Sequence, residues 1–215
     1  MTNEQKDKEV FDTGYASIVE VPPEDLSVAV EEHLGAGEAI GNPPAKVNPL
    51  TRYVPWHTKL SRTVVADDIP RVMKEAVILA ELCHTANGIY GGANAVAHCQ
   101  IDDKDPLRFF VSSSGEIIIN PVIINHTKTP VDSVEACTSF PTKEPKTVQR
   151  FHKIGVRFQQ LTLEKELSPL REEDFSGPES KAMQHEIEHC QGHCIFDENH
   201  NPEWCLGEVL LEAKN

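Results

Sequence analysis

Ser176-Gly177-Pro178-Glu179-Ser180-Lys181-Ala182-Met183-Gln184-His185-Glu186-Ile187-Glu188-His189-Cys190-Gln191-Gly192 is punctuated as a helix and carries the side chains of a metal site. Ser176 and Glu179 have the S-x-x-E spacing of a capping box, Pro178 suits a first turn, and Gly192 marks the end. Inside it, His185-Glu186-Ile187-Glu188-His189 reads H-E-x-x-H. Residues four apart on a helix lie one above the other, so both imidazoles can reach one ion. Glu186 then stands beside them, placed to take a proton from a water that the ion acidifies. A plain solvated helix with two incidental histidines is the competing account. A catalytic site of this kind needs a third protein ligand and an open position. Cys137, within Val134-Glu135-Ala136-Cys137-Thr138-Ser139, is one candidate. Glu198, His200 or Glu208 would instead make a metallopeptidase of another class.

Upstream of this helix the chain is rich in strands. Phe109 to Ser112, Ile117 to Asn120, Val122 to Asn125 and Val156 to Leu163 are apolar and often β-branched, with a hairpin turn expected at Ser112-Ser113-Ser114-Gly115. Before them, Ile69, Val72, Met73, Ala76, Val77, Ala80 and Leu82 recur at helical spacing; Asp68 is the expected cap and Asn87-Gly88 the expected stop. One helix, then strands, then a second helix is an α+β order rather than alternating βαβ. Residues 1–50, broken by Pro22-Pro23, Gly35-Ala36-Gly37 and Gly41-Asn42-Pro43-Pro44, read as a partly disordered N-terminal extension, with one short helix expected at about 23–34. The folded domain is expected over 51–215.

Composition narrows the function classes. The 215 residues carry 34 acidic against 20 basic side chains, a formal net charge of −14, which repels phosphates and argues against nucleic-acid binding. No run of 18 apolar residues offers a membrane span, and the N-terminus has neither signal-peptide nor transit-peptide character. A cytoplasmic location is therefore expected. The six cysteines are expected to be reduced and mostly buried. Cys190, His193, Cys194, His200 and Cys205 could also make a second zinc site, although packing is the simpler account. His57, His84, His126 and His152 lack partner spacing.

Three segments together resemble peptide deformylase. Ala93-Asn94-Ala95-Val96-Ala97-His98-Cys99-Gln100 aligns with that family's G-x-G-L-A-A-x-Q. Glu135-Ala136-Cys137-Thr138-Ser139 aligns with E-G-C-L-S, following Ile119-Asn120-Pro121-Val122-Ile123-Ile124-Asn125. His185-Glu186-Ile187-Glu188-His189-Cys190-Gln191-Gly192 aligns with H-E-x-D-H-L-x-G. The resemblance covers about residues 53 to 200. It implies a deformylase-like α+β fold with mixed or antiparallel sheets around a central H-E-x-x-H helix. It also implies Cys137, His185 and His189 as ligands of one divalent metal. Fe(II) is the native ion it suggests, with zinc, nickel or cobalt able to replace it. Glu186 is implied as general acid/base, Gln100 and the Thr138 N–H as oxyanion donors, and Glu135 as part of a structural ion pair. The implied reaction removes the formyl group from the N-terminal methionine of nascent peptides, releasing formate; the partner is such a peptide, at the ribosome, and oligomeric state is not addressed.

The chain departs from the family pattern at defined places. Ala93, Ala95 and Ala136 stand where it has glycines, Val96 and Thr138 where it has leucines, and His98 where it has alanine. Asn94, Ser133 and Lys181 occupy positions that often line the methionine pocket with aliphatic groups, so a more polar pocket and discrimination against formyl-methionine are expected. An altered substrate, or a binding protein without turnover, are the alternatives these changes raise. The long C-terminal helix common in bacterial members is not expected.

Overall fold

The computed structural model describes residues 60–90, 94–140 and 143–206, with residues 84–90 described by backbone alone. These residues fall in a single compact unit of the chain, 36–215. The expected extension over 1–50 and its short helix lie outside them.

Phe109-Phe110-Val111 and Ile117-Ile118-Ile119 are apolar at every position, which suits strands buried on both faces. That is how they are used. β1 (Ala95–Ala97), β2 (Phe109–Ser112), β3 (Ile117–His126), β6 (Lys153–Gln159) and β7 (Arg171–Ser176) form one antiparallel sheet in the order β1-β2-β3-β6-β7. Helix α1 (Ile69–Tyr90) covers one face, where Val72, Ala76, Leu79 and Leu82 meet Phe109, Val111 and Ile119. Helix α2 (Gly177–Cys190) covers the other, where Met183, Ile187 and Cys190 meet Phe110, Ile118, Ile123 and Phe158. Each fully buried large side chain here contributes about 1.5–3 kcal/mol. Among the described residues, β4 (Pro130–Glu135) and β5 (Lys146–Phe151) pair only with each other, as a separate two-stranded ribbon.

Several element boundaries differ from expectation. The two segments read as strands at 117–120 and 122–125 are one strand, bent where Asn120 adopts a left-handed φ of 53° and the register with β6 shifts. The Asn120 amide stabilises that bend by bonding both the N–H and the C=O of Val64. α1 runs through Asn87-Gly88 to Tyr90, and Asp68 caps a preceding 3-10 turn through Val65 N–H rather than the α-helix itself. The Ser176/Glu179 capping box does not form: Ser176 is the last residue of β7, with no side-chain capping bond. The helix starts instead at Gly177, whose φ of +56° turns the strand into it, and Pro178 follows. The strand placed at 156–163 is shifted to 153–159. The hairpin turn at Ser112 to Gly115 is present, closed by Gly115 N–H donating to Ser112 C=O at 2.9 Å. No helix among the described residues is long and apolar enough to cross a membrane.

Candidate metal centre

Three faces of α2 do different jobs. Met183, Ile187 and Cys190 enter the core. Gln184 and Glu188 face the ribbon, and His185 and His189, four residues apart, share the remaining face. Their rings stand edge to face, with centroids 4.6 Å apart. β4 ends at Glu135, and a turn closed by Phe140 N–H on Cys137 C=O (2.9 Å) then delivers the thiol. Cys137 Sγ lies 3.4 Å from His189 Nε2. One ligand atom from each of Cys137, His185 and His189 lies within 4.8 Å of the others, all three residues are buried, and no other His/Cys/Asp/Glu group of this kind occurs among the described residues.

The donor set fits a divalent ion. His189 Nδ1–H donates to His193 C=O at 3.0 Å, and His185 Nδ1 meets Glu135 Oε2 at 2.9 Å. Both rings therefore turn Nε2 towards the site, where His189 Nε2 meets Cys137 Sγ. Burial alone would push the Cys137 thiol up, but the neighbouring His189 and His185 outweigh it and bring the group down to about 5. A ready thiolate with two imidazoles suits borderline-soft ions such as Fe(II), Zn, Co or Ni. Glu135 is held well below the usual carboxylate range; burial opposes this, and His185 and Arg150 overcome it. Burial pushes the Glu186 carboxyl up, and its Oε2 is buried with no hydrogen-bond partner among the described residues. An orphaned acceptor of that kind marks where a water or substrate proton belongs.

Gln100 and Thr138 are also brought to this place. Gln100 Oε1 accepts Ala97 N–H (2.7 Å), while its Nε2 donates to Ser139 Oγ (2.9 Å) and Thr138 Oγ1 (3.2 Å). Ser139, given no role by sequence reasoning, is thus the resting partner of the Gln100 amide. Ala95 and Ala136 do not require positive φ; among the described non-glycine residues only Asn120, Lys165 and Asn199 do. The alanines therefore cost no backbone strain here. Ala93 lies outside the described residues.

The other candidates resolve differently. His200 Nε2 sits 2.7 Å from Glu188 Oε1 instead of serving as a third ligand, and Glu208 lies outside the described residues. The second zinc site does not assemble: Cys190 is in the core, Cys194 donates to Asp197 and Cys205 to Pro202 C=O. All six cysteines are free thiols. His98 accepts Leu107 N–H on Nδ1, which leaves Nε2–H to donate to Glu75. His126 packs its ring on Phe151, 4.0 Å between centroids.

A family model described as polypeptide deformylase matches residues 74–203. The chain belongs to the polypeptide deformylase family. The deformylase from Thermotoga maritima is 26% identical with a TM-score of 0.54, over 67% of this chain and 90% of that one. Those of Plasmodium falciparum (19%, TM-score 0.53, 74% of this chain and 86% of that one) and Arabidopsis thaliana (16%, 0.53, 78% and 82%) share the fold. No curated protein sequence matches the chain. Membership makes the α+β deformylase-like fold and a metal-dependent hydrolase lineage plain, and the Cys137, His185 and His189 cluster is where such a deformylase metal would sit.

A cavity of about 360 Å³ opens between the start of α2 and the large sheet. Its floor is Phe110, Ile118, Phe158, Phe175 and Met183. Asn94 lines it, but Ser133 and Lys181 do not, so only one of the three polar positions reaches it. Ala182, on its wall, is one helical turn before His185 and Glu186 on α2, whereas Gln100, Cys137, His185, Glu186 and His189 do not line the cavity.

Gln184 was not singled out from sequence, yet it fastens α2 to the ribbon. Its Oε1 accepts Phe151 N–H and its Nε2 donates to Phe151 C=O, both at 2.8 Å, with the side chain fully buried. Gln184→Leu leaves that N–H buried and unpaired, which costs about 1–3 kcal/mol. Urea unfolding should report a loss in that range; a midpoint unchanged from the parent's would dismiss the clamp.

Proposed function

We propose that this deformylase-family chain is an active peptide deformylase, hydrolysing the N-formyl amide of methionine at the start of nascent peptides and releasing formate. The proposal is carried by one observation: a buried thiol and two buried imidazoles converge beside a buried carboxylate oxygen that lacks a partner among the described residues. An ion held there by Cys137, His185 and His189 would supply Lewis acidity, making water at the site more acidic. Fe(II) is the proposed native ion, with zinc, nickel or cobalt as substitutes.

The chain's own groups would then act in turn. Glu186 accepts the proton of the attacking water as the oxygen–carbon bond forms at the formyl group. Gln100 Nε2 leaves Ser139 and, with Thr138 N–H, donates to the oxygen that gains charge. Glu186 passes its proton to the peptide nitrogen as the carbon–nitrogen bond breaks, giving formate and a free amine. The first side chain of the substrate takes the apolar-floored cavity, which suits methionine through a mouth made polar by Asn94. We place this activity in the cytoplasm, on chains emerging from the ribosome, with contact made to the peptide rather than to nucleic acid.

Formate release from a panel of formylated peptides, measured anaerobically with iron retained, tests this reading. Formyl-methionyl peptides should be hydrolysed. Glu116 and Glu179, exposed at the cavity rim, should favour a lysine over an uncharged residue at the following position by about fivefold, as ~1 kcal/mol for one charge pair at 4 Å in water implies. An iron-loaded chain that releases no formate from any peptide would be a binding protein instead.

A further inference from the structure

The outward nitrogen of each metal-binding imidazole is held by a different set of groups, and one segment, residues 193–205, touches both sets. On the first side, His185 Nδ1 meets Glu135 Oε2 at 2.9 Å. Glu135 takes a two-pronged contact from Arg150, Nε to Oε1 at 3.0 Å and Nη2 to Oε2 at 2.9 Å. Arg150 Nη2 also reaches Glu188 Oε2 at 2.7 Å, and Glu188 Oε1 meets His200 Nε2 at 2.7 Å. On the second side, His189 Nδ1–H donates to the C=O of His193. The His193 ring stacks on Trp204 (4.3 Å between centroids, 19° between planes), and Trp204 meets the His200 ring edge to face at 5.6 Å. Trp204 sits on a 3-10 turn, Pro202–Cys205, capped by the Asn201 side chain.

This chain of charges is almost dry: the Arg150, Glu188 and His200 side chains are 0%, 1% and 5% exposed. A buried arginine flanked by two carboxylates leaves one negative charge to be satisfied, and an uncompensated buried charge is expensive. Among the described residues, His200 Nε2 is the nitrogen that lies against the second Glu188 oxygen, and the two buried atoms, which have no other polar partner, face each other at 2.7 Å. Glu188 stands where the family motif has aspartate; one of its oxygens accepts from Arg150 and the other lies in close contact with His200.

We propose that His200 is a positioning residue for the metal centre. By holding Glu188 it fixes Arg150 and Glu135, and so the ring of His185; through Trp204 it ties that arrangement to the arm that holds His189. The inference rests on the reading that Cys137, His185 and His189 bind a divalent ion. Groups that hold the far nitrogen of a ligand histidine set ring orientation and basicity, and their loss typically costs 10–100-fold in metal affinity.

The test uses the full-length chain stripped of metal and titrated with Co(II) against a competing chelator. The thiolate-to-cobalt and d–d absorption bands are recorded, and thermal unfolding of the metal-free protein is followed in parallel. His200→Phe keeps an aromatic ring against Trp204 but removes Nε2; it should weaken Co(II) binding by about 10–100-fold and shift the d–d bands. His200→Gln, whose amide nitrogen lies near the lost Nε2, should restore most of the affinity and the parent spectrum. Parent-like affinity and bands in His200→Phe would overturn the inference while leaving the metal site intact. If the parent itself binds no cobalt, the metal reading and this inference fall together. Should His200→Phe not fold, His200→Asn decides: weaker cobalt binding than His200→Gln supports the positioning role, and equal binding refutes it.

Discussion

Glu186→Gln is expected to keep its full complement of metal and to slow formate release by roughly 10²–10⁴-fold, the span that a positioned acid–base group contributes. Glutamine has nearly the same shape, so the packing around a side chain only 4% exposed is preserved. None of the three candidate ligands is touched. What disappears is the ability to accept a proton at an oxygen that has no other partner among the described residues. The loss should fall on kcat rather than KM, because the group acts on a proton in flight and not on the resting substrate. Metal analysis alongside steady-state rates separates this from a binding defect. Activity close to the parent's would remove Glu186 from proton transfer.

Cys137→Ala should abolish stable metal binding, weakening it by well over ~10²-fold, since even the loss of a supporting group around a ligand costs 10–100-fold. The thiol contributes the anionic member of the donor set, and His189 and His185 already draw it towards ionisation at neutral pH. Folding should be less affected. Cys137 packs only at the edge of the ribbon, against Val148 and Ile195, and removing one sulfur there leaves a small void. Metal content after dialysis, compared with urea unfolding of the stripped protein, distinguishes the two effects. Full retention of the ion by this variant would exclude sulfur as a ligand.

What the sequence made legible follows the range over which each signal acts. The pair His185 and His189 could be placed on one face because helical spacing is local. The apolar runs at 109–111 and 117–119 announced strands, although not that α1 and α2 would cover opposite faces of them. Cys137 could be joined to the helix only through family resemblance, because nothing local relates a thiol to imidazoles some fifty residues away. β4, β5 and β7 passed unnoticed. Asp132, Glu135, Lys146, Arg150 and the Arg171–Ser176 run give polar strands whose stability comes from partners rather than from their own pattern. The Ser176 capping box illustrates the opposite failure: the motif is present, but pairing with Lys153 in the sheet takes Ser176 first. Gln184, Arg150 and Trp204 carry no spacing signal at all, and their roles exist only once the ribbon and the last turn are docked. His200 was noticed as a possible metal ligand, and the structure places it against Glu188 instead.

The two-stranded ribbon has a consequence for how an ion would leave. An isolated pair of strands is marginal by itself, and this one is docked chiefly through Val148, Arg150 and Phe151. The sulfur follows directly from the ribbon, whereas both imidazoles ride on a helix sunk against five strands. Local breathing of the ribbon could therefore draw one ligand away while the rest of the molecule stays folded. Escape of the ion is then a matter of how often a hairpin lifts, not of how stable the whole protein is.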